Sequence, residues 1–281
     1  VFPYKKFNYS QDFFQLLFYF FISNLLTKIK EEFMKIVVAL SHVPDTATKI
    51  KIAQDRKTID PAGVSFVINP YDEFAVEEAL RTKEKFGGEV IIVTYGNDSA
   101  KESIRKALAM GADKGILIKG DLNVDSLTVA EALTSEILQL NPDIIFCGKQ
   151  SVDYDSSAVG QMLAELLNIP SISTVVKLEI ENGKVRAERE VEGGVEIVES
   201  SLPIVITAQK GLNEPRYASL KGIMAAKSKP IEEKNFETNM NRLIVNELKL
   251  PESKRKSKIV GTDLSAVPEL VRLLREEAKV I

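Results

Sequence analysis

From Met34 onward, short runs of apolar residues alternate with longer segments in which apolar positions recur every three or four residues. The first pattern suits a strand buried on both faces, and the second gives a helix one apolar face. The runs Lys35–Leu40, Glu89–Tyr95, Gly115–Lys119 and Asp143–Gly148 read as strands. Helices fit between them. Asn69-Pro70 reads as a cap followed by proline at the first helical position, Asp72 and Glu73 suit the positive end of the helix dipole, and Gly87-Gly88 stops the helix after Phe86. Further helices are expected over Asp98–Met110, ended by Gly111, and over Asp125–Leu140, ended before Pro142. The clearest one places Val159, Met162, Leu163, Leu166 and Leu167 on one face, with Asp155, Ser156 and Ser157 as candidate caps. Strands and helices alternating in this way predict an α/β fold, a parallel sheet with crossover helices.

The period changes after Pro170. Val176, Leu178 and Ile180 alternate with Lys177, Glu179 and Glu181, Asn182-Gly183 is a two-residue hairpin signal, and a polar strand Lys184–Val191 follows. Gly193-Gly194 turns again, and Val195–Glu199 and Pro203–Thr207 continue the β structure as an antiparallel extension of the same sheet. The segment Ser228–Lys258 is polar and nearly aperiodic and reads as an extended arm. Beyond it Val267, Leu270, Val271 and Leu274 mark a last amphipathic helix, whose apolar stripe needs a surface to pack on. The expected organisation is an N-terminal extension over 1–33, an α/β domain over 34–227, and an arm with its helix over 228–281.

The extension carries an aromatic run, Phe13–Leu26, behind Lys5 and Lys6. It is shorter than a membrane span, contains Gln15 and Asn24, and lacks a small-residue cleavage site. Met34, opening a buried strand, is the expected native start, which places residues 1–33 outside the native fold.

Charge and composition narrow the function. The 37 basic and 40 acidic residues are spread along the chain, so no basic face for nucleic acid is expected. Cys147 is the single cysteine and His42 the single histidine, which excludes an intrachain disulfide and a His/Cys metal cluster and fits a reducing cytoplasm. No G-x-S-x-G turn accompanies His42 to make it a hydrolase base. Neither G-x-G-x-x-G nor a complete phosphate loop occurs, and Gly148-Lys149-Gln150-Ser151 resembles only the tail of the latter. A mononucleotide at the carboxyl ends of the strands remains open, its phosphate on the amides that begin the helix near Ser156. Asp153 and Asp155 would repel that phosphate unless they face ribose hydroxyls, cap the helix or point away. On spacing alone, ligand binding and ordinary helix capping fit this loop equally well.

Five stretches resemble the electron transfer flavoprotein beta subunits. They are Lys35–Leu40 with Val43-Pro44-Asp45-Thr46, the run Asn69–Ala79, Ala109–Asp113, Gly148-Lys149-Gln150 with Asp153 and Asp155, and Leu212–Leu220. Their order matches across about residues 34 to 230. The resemblance implies a Rossmann-like fold of the adenine nucleotide alpha hydrolase kind. It also implies a heterodimer with an alpha subunit that holds most of an FAD, and AMP, or a second FAD in electron-bifurcating members, bound to this chain. By position the nucleotide contacts are Ala39, Asn69, Pro70, Tyr71, Asp72, Tyr95, Gly148, Lys149, Gln150, Ser151, Val152, Asp153, Asp155, Ser156, Ser157 and Val159. Tyr71 is placed to approach the flavin. Arg216, Tyr217, Leu220, Ile223 and Met224 fall where partner dehydrogenases of the acyl-CoA type dock, with a quinone oxidoreductase or other acceptor downstream, as in fatty acid beta-oxidation. No acid, base or nucleophile is expected from the chain, which acts as an electron-carrier subunit rather than a stand-alone catalyst.

Three positions depart from the family. Ser41-His42 stands where a Lys-Gln or Lys-Arg pair is common, Tyr154 separates the two aspartates, and Ala158 replaces a usual glutamine. Each bears on nucleotide affinity, and the amides and hydroxyls of Ser156 and Ser157 offer compensation. Gln161 after Gly160 and the run Asn213–Tyr217 favour the ordinary branch over the bifurcating one. A stand-alone adenine-nucleotide regulator would not need Leu212–Leu220, and an ATP-pyrophosphatase would need a loop that Ser41–Asp45 does not supply.

Overall fold

The computed structural model describes residues 33–237, 242–251 and 258–281; the run Phe13–Leu26 and the rest of the expected extension up to residue 32 lie outside the described residues. Two compact units are present, one built from the chain up to Ile50 and from Pro61 to Val245, the other from Lys51–Asp60 and Asn246–Ile281. The strands of the larger unit are β1 (Met34–Ala39), β2 (His42–Pro44), β3 (Phe66–Ile68), β4 (Gly88–Gly96), β5 (Lys114–Lys119), β6 (Ile144–Gly148), β7 (Ser171–Glu181), β8 (Lys184–Val191), β9 (Gly194–Ser201), β10 (Ile204–Ala208) and β11 (Ile231–Asn235). Its helices are α1 (Pro70–Phe86), α2 (Lys101–Met110), α3 (Ser126–Leu140), α4 (Val159–Leu167) and α5 (Leu220–Ala226). Nine strands form one sheet in the order β11-β5-β4-β1-β6-β10-β7-β8-β9, and β2 and β3 pair separately.

The strands at the middle of the sheet are buried on both faces, which is why they read as unbroken apolar runs. Ile36, Val38, Val90, Ile92, Ile144 and Phe146 face a layer with Val76, Leu80, Ile104 and Leu108 of α1 and α2. Their alternates, Val37, Ala39, Ile91, Val93, Ile145 and Cys147, pack with Leu133, Ile137, Leu163 and Ala164 of α3 and α4. Each fully buried Ile or Phe of this kind contributes about 1.5–3 kcal/mol. The expected parallel sheet with crossover helices on both faces is therefore present, and the β7–β8–β9 meander is its antiparallel extension.

Several details differ from the sequence reading. The run expected over Pro203–Thr207 does not prolong the meander: the strand there, β10, covers Ile204–Ala208, all five residues buried, and runs parallel to both β6 and β7. Residues Ile231–Asn235, within the segment read as an arm, form β11 on the edge of the sheet beside β5. Their side chains are mostly exposed, so no alternation announces the strand; backbone pairing and the ion pairs of Glu233 with Lys101 and Lys119, 2.7 and 2.5 Å, hold it. A 3₁₀ turn over Asp98–Ala100, capped by Asn97, precedes α2. Leu220–Ala226, for which no helix was expected, is helical: the Ser219 hydroxyl accepts from the Gly222 amide, and Gly222 lies so close to α2 that an added Cβ would fall 2.3 Å from the Ala109 carbonyl oxygen.

In the smaller unit Ile52 bridges Ile59, the Leu248 amide donates to the Arg56 carbonyl, and Arg56 pairs with Glu247. Its helix, α6 (Val267–Glu276), keeps Leu273 buried while Val267, Leu270 and Val271 remain exposed. Among the described residues no helix is long and apolar enough to cross a membrane.

Candidate functional site

The strand order reverses at β1. The chain first builds outward through β4 and β5, then returns to place β6 on the other side of β1. At such a reversal the connecting loops diverge and leave a crevice at the carboxyl ends of the strands, the usual ligand position in open parallel sheets. Ala39 sits in register with Val93 of β4 and Cys147 of β6, so Tyr95 and Gly148 lie just beyond it on the two flanking strands. The residues singled out from sequence therefore converge on one edge of the sheet: Ala39 at the end of β1, Tyr95 near the end of β4, Asn69 to Asp72 at the start of α1, and Gly148 to Val159 after β6.

Two buried side chains at the start of α1 hold this edge together. Asn69 occupies the cap position but makes no cap bond; instead its amide donates to the Gln150 carbonyl at 2.8 Å and its carbonyl oxygen accepts from the Val152 amide at 3.2 Å. Asp72 accepts from the Ser41 amide through Oδ2 and from the Gly148 amide through Oδ1, both at 2.7 Å. One carboxylate thus ties the loop after β1 to the end of β6. Burial pushes the Asp72 carboxyl up to about 7, against the pull of these two amide donors. Gly148 has no room for a side chain, since a Cβ would lie 2.5 Å from Asp72 Oδ1 and 2.6 Å from Tyr71 Cβ. Half-buried Tyr71 carries the Lys149 ammonium 5.1 Å from its ring centre, within cation–π range.

The loop between β6 and α4 is shaped by its own polar side chains. Gln150 donates to Asp155 Oδ1 at 2.6 Å and accepts from the Ser157 hydroxyl at 3.2 Å, while Asp153 accepts from the Tyr154 amide. Asp155, Ser156 and Ser157 were candidate caps, but α4 begins later, at Val159, with Ala158 in the cap position and no side-chain cap bond. The reason is conformational. Asp155 and Ser157 both adopt φ of 50°, whereas Ala158 lies near the right-handed region at φ −117°, ψ −32°. Alternation of this kind turns successive amides toward a common point, as in backbone anion nests. Ser151 and Val152 are half-buried; Ser156 and Ser157 are exposed. Gly160 lets α4 approach the sheet, an added Cβ falling 2.8 Å from both Cys147 Sγ and Thr207 Cγ2. Cys147 itself is buried, with its thiol pushed upward by that burial, and is chemically inert there.

His42 is structural. Its ring stacks on Phe66 at 4.9 Å, Nδ1 lies 2.7 Å from the Ser103 hydroxyl and Nε2 3.1 Å from that of Ser99, and burial holds the imidazole below its ordinary value.

The segment that opens the second predicted group rests on the same helix, α1, and the rest of the group lies beyond it, with Leu220, Ile223 and Met224 on α5. Asn213 is buried and donates to the Phe74 carbonyl and Glu78 Oε2. Arg216 places its guanidinium and its amide on Glu77, at 2.8 to 3.1 Å, and reaches Glu84 as well. Arg216 is therefore an anchor within the chain, while Tyr217 (99% exposed), Leu220 (78%), Met224 (60%) and Ile223 (46%) form the outward apolar row beside it. Nothing in the local sequence distinguished these roles, because Glu77 and Glu84 look like ordinary solvent-facing helix residues. Among the described residues no group of three or more His, Cys, Asp or Glu is arranged to hold a metal ion.

Comparison with known proteins gives a consistent result. A family model described as the electron transfer flavoprotein domain matches residues 57–239. The chain is 42% identical over 259 residues to the electron transfer flavoprotein subunit beta of Bacillus subtilis, covering 88% of this chain and 100% of that protein. It is 41% identical over 251 residues to the subunit of the same name from Bradyrhizobium diazoefficiens, again 88% and 100%. To the mitochondrial electron transfer flavoprotein subunit beta of Arabidopsis thaliana it is 40% identical over 255 residues, with the same coverage.

Proposed function

Because the chain belongs to the electron transfer flavoprotein family, as a beta subunit with an alpha subunit for its partner, we propose that it binds one AMP and, with that alpha subunit, carries electrons from flavin dehydrogenases of the acyl-CoA type to a downstream quinone oxidoreductase or similar acceptor. The observation that carries the AMP assignment is the convergence of Ala39, Asn69–Asp72, Tyr95 and the loop Gly148–Val159 at the reversal of strand order. The amides around Ser157 and Ala158 are the phosphate seat, with the Ser156 and Ser157 hydroxyls beside it. Gln150 engages the Asp155 carboxylate within the loop, which lessens the repulsion that the two aspartates would otherwise impose on a phosphate.

The residues present fit the flavin assignment too. Tyr71, half-buried beside the loop after β6, offers an aromatic surface to an FAD held mainly by the alpha subunit, and Lys149 adds positive charge there. Bound FAD supplies the redox chemistry. This chain contributes position and electrostatics rather than an acid, base or nucleophile. The exposed row Tyr217, Leu220, Ile223 and Met224 is assigned to dehydrogenase docking, and the exposed face of α6, with Val267, Leu270 and Val271, to the alpha subunit. The working compartment assigned to it is the cytoplasm.

The test is to co-express the chain with its alpha subunit, precipitate the purified complex with acid and identify the released nucleotides. One FAD and one AMP per heterodimer are expected. Two FAD and no AMP would replace this reading with the bifurcating one, and FAD without any second nucleotide would refute the AMP site.

A further inference from the structure

The segment after β11 brings an unassigned aromatic residue to the same edge of the sheet. The Phe236 amide donates to the Lys119 carbonyl at 2.8 Å, and its ring meets Tyr95 edge-on, with 6.5 Å between centroids and 82° between planes. Both rings are half-buried and pack on the apolar cluster that contains Ala39, Val93 and Ile118, at the carboxyl ends of β1, β4 and β5. The pair is held on several sides. The Tyr95 hydroxyl donates to the Asp121 carbonyl at 2.6 Å, and Gly120 leaves the space the phenol occupies, since a Cβ there would fall 2.3 Å from the hydroxyl oxygen. Beyond Phe236 the chain is fastened again where the Arg242 amide donates to Asp125 Oδ2 at 2.8 Å and the guanidinium reaches Glu131 at 3.3 Å. Asp125 caps α3, and the next residue, Ser126, places its hydroxyl 3.2 Å from that of Ser156 in the loop after β6.

Geometry decides which part of a nucleotide lies near this pair. Neighbouring strands are about 4.8 Å apart, so crossing from β6 over β1 to β4 covers about 10 Å, roughly the reach of a mononucleotide from phosphate to purine. With the phosphate seated after β6, the base falls toward Tyr95. Resting on the AMP reading above, we propose that Phe236 is a base-recognition residue of the nucleotide site, forming with Tyr95 an aromatic corner that takes the purine. Aromatic contact of this kind is sequence-tolerant but demands a base, because only the base offers a π-face.

The experiment compares two ligands on the heterodimer after nucleotide removal, by calorimetry: AMP, and ribose 5-phosphate, which keeps the phosphate and sugar but lacks the base. Phe236→Ala is expected to weaken AMP about tenfold while leaving ribose 5-phosphate unchanged. Phe236→Leu, which keeps apolar bulk and so protects the fold of the arm, should also lose AMP affinity, and Phe236→Tyr should restore it. Equal loss for both ligands in the Leu variant, or no loss for AMP in either, overturns the assignment and leaves Phe236 a packing residue. An unsubstituted complex that binds both ligands equally overturns the aromatic corner but keeps the phosphate seat. One that binds neither overturns the AMP reading and this inference with it.

Discussion

Asp72 gives the sharpest test of how the crevice is built. In the unfolded chain its proton leaves near the ordinary value of 3.8, whereas in the folded chain burial holds it to about 7. Between those values the folded state binds more protons than the unfolded state, so each rise in pH favours unfolding. The stability associated with this group is complete below about pH 4 and is lost as pH rises through 7. At about 1.4 kcal/mol per pKa unit the whole effect is on the order of 4 kcal/mol, of which about 2–3 kcal/mol falls between pH 5 and pH 8. Asp72→Asn removes the titration and also places an amide NH₂ where a carboxylate oxygen accepts from Ser41 or Gly148. One buried N–H is then left without an acceptor, at a pH-independent cost of about 1–3 kcal/mol. The variant should therefore be the less stable protein at pH 5, and the gap should close by about 2–3 kcal/mol by pH 8. Urea unfolding of both proteins, each paired with the same alpha subunit at the same concentration, reads the difference. His42 titrates in both proteins and cancels. Parallel stability curves across that range would refute the reasoning, because they would mean that Asp72 is ionised throughout and its two amide donors outweigh its burial.

Three other substitutions separate the roles assigned above. Gly148→Ala forces a methyl against Asp72 Oδ1 and Tyr71, so a loss of about 2–3 kcal/mol and an AMP-depleted complex are expected by thermal melting and acid extraction; full AMP occupancy would show that the loop after β6 does not hold the nucleotide. Arg216→Ala leaves the nearly buried Glu77 with its i,i+4 neighbour Arg81 as the remaining ion-pair partner. With 34% of the arginine side chain exposed, the cost should be about 2–3 kcal/mol, below the 3–5 of a fully buried pair, and a melting temperature matching the unsubstituted complex would remove its anchoring role. Leu220→Ala, at an exposed position, should change stability by less than about 0.5 kcal/mol yet weaken dehydrogenase affinity by about 1–3 kcal/mol; the reverse pattern in melting and steady-state electron transfer would place the docking surface elsewhere.

The parallel core was legible because strands buried on both faces leave unbroken apolar runs, and α1 to α3 because Pro70 at a helix start, the Asp125 cap and the stops at Gly87, Gly111 and Asn141 are local signals. The crevice was legible in part for a different reason. Asn69, Asp72 and Gly148 stand out as a cap residue, a first-turn acid and a strand-end glycine, and the family motif joins them. Their actual partners are tertiary: Asn69 bonds a loop about eighty residues later, and Asp72 joins the loop after β1 to the end of β6. No periodicity reports such bonds. The strand β11 was hidden because an edge strand with exposed side chains has no apolar alternation, and α5 because a seven-residue helix containing Gly222 has weak propensity of its own and relies on the Ser219 cap and on contact with α2.

The bonds of α1 tie the residues proposed to hold the nucleotide to the segment that leads into the proposed docking row. Its first turn holds the end of β6 through Asp72 and the loop after it through Asn69, and its next turns hold the segment around Asn213 and Arg216 through the Phe74 carbonyl, Glu77, Glu78 and Glu84. From Asp72 to Glu77 the helix rises about 7.5 Å, a distance fixed by backbone geometry rather than by side-chain rotamers. Val76 and Ala79, fully buried against the sheet, keep the helix from sliding. One rigid element therefore sets the spacing between the crevice and the segment that leads into α5, while α5 itself, with Leu220, Ile223 and Met224, is seated on α2. A substitution that loosens the buried face of α1 should disturb nucleotide retention and partner docking together, whereas Leu220→Ala reaches the second without the first.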